Sequence, residues 1–174
     1  MIEYVILGTS HDHQDKSRFD PCVRGVITRH ATRLIAEEYP SDTHSMAFVI
    51  AVRLHIPYLQ IDMYEDEWRG AGIYDEMSKV QSCDEYRLFH ADGVREEFWL
   101  DKIEASEDRG PVLIICGHLH VAFLADKAEG RGGRVVEKIF FPTNLSDGRR
   151  VRVLNPAEQD EYVKKRREAG IAGP

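Results

Sequence analysis

No stretch of this chain approaches the ~18 to 20 consecutive apolar residues that a membrane span requires, so a transmembrane helix is not expected. Cysteine is scarce: Cys22, Cys83 and Cys116 are odd in number and form no C-x-x-C pair. That excludes a disulfide framework and a thiolate zinc clip as the organising device. The short apolar stretch at residues 2–7 has no basic segment before it and is too short for a signal peptide, so the expected location is the cytoplasm. Excess positive charge is lacking as well. A formal charge of −7 sets nucleic acid aside as the main partner. The one basic cluster, Lys164 to Arg167, stands among Glu158, Asp160, Glu161 and Glu168 and reads as a solvated helix face. Repeats and low-complexity tracts are absent too, which removes solenoids and tails from consideration.

What is present is a globular composition, 43% hydrophobic and 30% charged over 174 residues, enough for one domain with a real core. Apolar runs of strand length alternate with helical patterns. That order predicts a three-layer, Rossmann-like α/β fold with a mostly parallel sheet of about five strands. The domain is expected over residues 1–155, with a C-terminal helix or tail at 156–174. Strands are expected at 3–7, 33–36, 58–63, 112–116 and 134–141, with a sixth at 149–154. Helices are expected from Asp20-Pro21, from Ser41 or Asp42, over about 92–106 and over 119–128. Residues 64–82 are polar with Gly70 and Gly72, and read as a loop or lid on which Arg69 could meet substrate.

In such a sheet a ligand site lies beyond the carboxyl ends of the strands. The residues expected there are chemically distinctive. The first strand runs into His11, Asp12, His13 and Asp15, the second into Glu37 and Glu38, the third into Asp62, the fourth into His118 and His120. Imidazole and carboxylate together suit a divalent metal such as zinc, manganese, iron or nickel. A water bound to such a metal becomes a usable nucleophile near neutral pH. Arg95, Glu96 and Trp99 fall at helical spacing before the fourth strand. Arg95 could steady an anionic substrate or oxyanion, or serve as half of a surface ion pair. His44, His55 and His90 have no motif partner and are taken as structural. Cys116, inside an apolar run, is expected in the core. The glycines of EGRGG at 129–133 follow a helix and read as its cap and turn.

Three motif readings compete. HDHQDK resembles the H-x-H-x-D-H signature of the metallo-β-lactamase fold, but Lys16 replaces the last histidine and only one strand precedes it. CGHLH resembles the G-H-x-H motif of calcineurin-like metallophosphoesterases, whose upstream motifs are missing; this is the runner-up. The third reading joins both ends. Gly8-Thr9-Ser10-His11 and Gly117-His118-Leu119-His120 are each G-x-x-H, with a glutamate after the second strand between them. This arrangement resembles the Tiki/TraB and erythromycin esterase-like superfamily, which includes the haem-binding ChaN group. The resemblance implies an α/β fold with its site at the strand ends and, in the Tiki branch, metal-dependent hydrolysis of a peptide or ester bond. It matches His11 and His120 to the motif histidines and Glu37 or Glu38 to the intervening acid, as ligands of a divalent metal. His13 or His118 would then be a further ligand or an acid–base group, with a small molecule or peptide as substrate. A non-catalytic metal, haem or small-ligand binder is the alternative from another class.

Overall fold

The computed structural model describes residues 1–9, 16–38, 45–80, 83–107, 110–141 and 156–170. Five strands form one parallel sheet: β1 (Glu3–Thr9), β2 (Leu34–Glu37), β3 (Tyr58–Gln60), β4 (Val112–Gly117) and β5 (Arg134–Phe140), in the spatial order β3-β2-β4-β1-β5. Every pairing is parallel. The fold is thus the expected three-layer, Rossmann-like α/β architecture. The expected sixth strand at 149–154 lies outside the described residues.

Alternation along the strands builds two cores. Tyr4, Ile6, Leu34, Ala36, Val112, Ile114 and Cys116 face one way. Val5, Leu7, Ile35, Leu113 and Ile115 face the other. Such double-sided burial explains the unbroken apolar run of β4. Helices α1 (Lys16–His30) and α2 (Met46–Leu54) cover the second face with Phe19, Val23, Ala47 and Ile50. The first face carries α5 (Glu85–Ala105) and α6 (Val121–Gly130), through Trp99, Leu100, Ile103 and Leu124. Steps toward β3 use α1 and α2, and steps back toward β5 use α5 and α6. All crossovers therefore share one hand, as the rule for β-α-β units requires.

Several boundaries differ from the sequence reading. Pro21 does not open α1 but sits inside it, since the helix already begins at Lys16. Ser45, not Ser41 or Asp42, caps α2, accepting from the Phe48 N–H at 3.0 Å. Residues 64–80 contain two short helices, α3 (Glu65–Gly70) and α4 (Tyr74–Ser78). They are held down by a small apolar cluster of Met63, Ile73 and Ala91. Helix α5 starts seven residues before the expected Asp92. At the other end of the chain α7 (Pro156–Glu168) packs back against the first face. Among the described residues no helix is long and apolar enough to cross a membrane.

Candidate functional site

The order β2-β4-β1 decides where a site can form. After β2 and after β1 the chain exits to the α1/α2 face, whereas after β4 it exits to the α5/α6 face. The carboxyl end of β4 is thus flanked on both sides by neighbours whose connections leave the other way, the position at which open α/β sheets place their ligand sites. Both G-x-x-H motifs start there. Thr9 of β1 pairs with Gly117 of β4, and Gly8 with Cys116, so the two glycines stand on adjacent strands one residue out of step. Gly8 is needed for a close approach: a Cβ there would lie 2.6 Å from Val121 Cγ2 and 3.3 Å from the His118 Cα. Its absence lets the single 3-10 turn after β4, His118–His120, lean onto β1.

That turn delivers His120 into the α5/α6 face, where it is buried. Helix α5 meets it with Asp92, Arg95, Glu96 and Trp99, four positions of one helical stripe. His120 Nδ1 lies 2.9 Å from Glu96 Oε1, and because a carboxylate only accepts, this nitrogen carries the proton of that bond. Nε2 then faces Glu38 Oε1 at 3.8 Å and Asp92 Oδ1 at 3.9 Å. Trp99 packs edge-on against the ring, with centroids 4.8 Å apart. Burial works against a charged imidazole, but the carboxylates of Glu38 and Asp92, with the Glu96 bond behind them, outweigh it and hold the pKa up at about 8.

Arg95 organises the acids. Its Nε and Nη2 donate to Asp62 Oδ1 at 3.1 and 2.9 Å, its Nη2 also donates to Glu38, and its Nη1 reaches Asp92 at 3.4 Å. Trp99 Nε1 adds a third bond to Asp62 Oδ1 at 3.2 Å. Burial opposes the Arg95 charge, and these carboxylates more than restore it, raising its pKa. A guanidinium shared among three acids is a scaffold for them, not an arm extended to substrate as the sequence reading allowed.

Glu37 and Glu38 are parted by the pleat. Successive strand residues point to opposite faces, so only Glu38 joins His120; there it also accepts from the Gly117 N–H at 2.8 Å. Glu37 turns to the α2 side, where Tyr58 Oη donates at 2.7 Å and the Ser45 hydroxyl also donates. His118 is half-buried toward β5, with Nε2 3.2 Å from the Phe141 carbonyl oxygen and its ring stacked over Phe140. It does not point into the His120 cluster. His11 and His13 lie outside the described residues.

The sequence reading missed three members of the site. Asp92 lay at the edge of its predicted helix. Tyr162 and Arg166 come from α7, where Arg166 stood in the cluster taken for a solvated face. Arg166 is wholly buried and grips Glu96 with Nη1 to Oε1 and Nη2 to Oε2, both at 2.7 Å. Its guanidinium lies 4.0 Å from the Phe123 ring centroid. Tyr162 Oη donates to Asp92 Oδ2 at 3.1 Å. Burial drives the Tyr162 phenol pKa upward and Asp92 adds to it, so the hydroxyl stays protonated and donating. The available signal was the spacing of Tyr162 and Arg166, one turn apart, which puts them on one side of α7.

Two features suit a cation. Glu38, Asp62, Asp92 and Glu96 outnumber the fixed charges of Arg95 and Arg166, a surplus that the raised His120 pKa already expresses by retaining a proton. The spacings from Nε2 to Glu38 and Asp92 fall below the about 4.2 Å that two ligands of one zinc-sized ion can span. The count falls short: among the described residues no group of three or more His, Cys, Asp or Glu side chains is poised to hold a metal ion. Arg95 already occupies both carboxylates.

Comparison with known proteins finds no matching family model, no matching curated protein and no matching solved structure.

Proposed function

We propose that this protein is a hydrolase of peptide or ester bonds, with its reacting centre beyond the ends of β2, β4 and β1 and His120 as its acid–base group. The observation that carries this reading is the orientation of His120. Nδ1 is committed to Glu96, so Nε2 is the one ring position from which a proton can be given or taken. With a pKa of about 8 the ring is protonated at pH 7, a state suited to donating to a leaving group. Glu38 and Asp92 face that nitrogen and stabilise the charge it carries. Glu38 in turn is fixed by Arg95 and the Gly117 N–H.

In the metal-dependent alternative His11, Glu38 and His120 would be ligands, Nε2 would hold the ion in place of its acid–base role, and a bound divalent ion would supply an activated water. The surplus of carboxylates supports it. An ion taking Nε2 must displace the ring proton, so binding near pH 7 should release about one proton per ion. A cytoplasmic setting is part of the proposal, supported by three free cysteines.

The test is a panel of peptide, ester and phosphoester substrates, offered to wild-type, H120N, E38Q and H11A protein with and without added divalent ions. Turnover of a peptide or ester that H120N and E38Q abolish is the expected result. Preference for a phosphodiester would replace this reading with the calcineurin-like one. Stoichiometric retention of a metal, haem or small ligand without turnover would make the protein a binder. No turnover and no retained ligand sinks the proposal.

A further inference from the structure

We infer that Arg166 of α7 is the positioning residue for His120: by clamping both oxygens of Glu96 it holds the carboxylate that fixes the imidazole ring, while Tyr162, one turn earlier, holds Asp92. The inference rests on the reading of His120 as the reacting imidazole.

The contacts form an unbroken chain from the C-terminal helix to the site. Glu96 Oε1 is shared, taking Arg166 Nη1 at 2.7 Å and His120 Nδ1 at 2.9 Å. Glu96 Oε2 takes Arg166 Nη2, also at 2.7 Å. A carboxylate held at a single oxygen can rotate about its last torsion. Held by a planar guanidinium at both oxygens it cannot, and the direction in which Oε1 receives the imidazole is set. A carboxylate fixed against one ring nitrogen in this way selects which nitrogen carries the proton. Tyr162 completes the arrangement by donating to Asp92 Oδ2 while Asp92 Oδ1 faces His120 Nε2. Both acids of α5 that flank the ring are therefore held from α7.

Anchoring a helix does not call for this residue. A leucine facing Phe123 would seat α7 without the desolvation cost of a buried guanidinium, a cost recovered only with good pairing. Arg166 moreover leaves its Nε buried with no hydrogen-bond partner among the described residues. Its terminal nitrogens are aligned on Glu96 at the expense of the third donor. The exposed neighbour Arg167 serves as a contrast. It pairs with Asp126 at 2.7 Å on the outside of the same helix and has no route to the ring.

The experiment uses the full chain with nitrogen-15 histidine and follows the His120 ring by NMR, its signals identified by their loss in H120N. At a pH high enough to leave the ring neutral, wild type is expected to show a protected Nδ1 proton and the Nδ1–H tautomer. R166M should lose that proton to exchange and give ring-nitrogen shifts averaged between tautomers. R166K, keeping the charge without the two-pronged grip, should fall between, and R167A should match wild type. On whichever substrate is turned over, R166M should lower kcat about tenfold or more with KM nearly unchanged. A folded R166M with the wild-type Nδ1 proton and the wild-type kcat overturns the inference. So does an R167A variant that loses the signal as fully as R166M, since that marks general undocking of α7. Should R166M fail to fold, the same criteria apply to R166K. A signal that depends on Arg166 in a protein with no turnover refutes the hydrolase reading and leaves the clamp standing.

Discussion

Raising the pH through neutrality should cost this protein a defined amount of stability at one residue, His120. In the folded state its pKa stands at about 8 against 6.5 for an unperturbed imidazole. The folded protein therefore binds the proton more tightly than the unfolded chain. The stabilisation is complete below pH 6.5, declines as pH rises, and is gone above about pH 8. A gap of about 1.5 units at 1.36 kcal/mol each gives roughly 2 kcal/mol. No large discount for solvent screening applies, because the ring is buried and its partners Glu38 and Glu96 are too. The assay is urea unfolding of wild type and H120N from pH 5.5 to 9.5, in chelator so that no metal competes for Nε2. Subtracting the variant removes the other seven histidines. The stability difference should shrink by roughly 2 kcal/mol across that range, about 1 M in urea midpoint for a domain of this size. A flat difference would mean that the acids do not act on His120. A difference that grows with pH would mean that burial wins and the ring folds neutral. Either result would refute the electrostatic account of the site.

Further substitutions separate the parts of the structure. G8A should destabilise the protein by about 1–3 kcal/mol, because the new methyl meets Val121 Cγ2 at 2.6 Å; pairing it with V121A should recover most of the loss in thermal unfolding. D62N leaves the Arg95 guanidinium and the Trp99 indole N–H facing an amide, an expected cost of about 3–5 kcal/mol by chemical denaturation, together with a change in Trp99 fluorescence. E37Q should lower stability by about 1 kcal/mol through its weakened bonds to Ser45 and Tyr58 while leaving activity intact, whereas E38Q should remove activity; equal loss of activity in both would contradict the assignment of the two acids to opposite faces.

The fold was legible because its signals are local. The apolar run of residues 112–116 and the alternation of apolar strands with helical stretches carry their own burial pattern, and a parallel sheet follows from it. Errors fell where a neighbour overrides the local signal. Asp20-Pro21 reads as a helix start, yet α1 begins at Lys16 and tolerates the proline inside. The polar stretch 64–80 lacks the apolar periodicity of a long helix, yet α3 and α4 are held down by a cluster that includes Ala91 of α5.

The sequence by itself determined that imidazoles and carboxylates collect at one edge, since strand ends and residue types are both read along the chain. It also paired the two G-x-x-H motifs, whose strands proved to be neighbours. Only the tertiary structure decided which acid belongs to His120, because Glu37 and Glu38 are equivalent until the packing of α2 and α5 tells one face of β2 from the other. The role of Arg95 was hidden for the same reason, since Glu38 and Asp62 come to it from other elements. Arg166 was the least legible of all. In one dimension it is a basic residue among basic residues, and what sets it apart is a glutamate seventy positions earlier. The protein brings that partner within reach only by folding α7 back across α5.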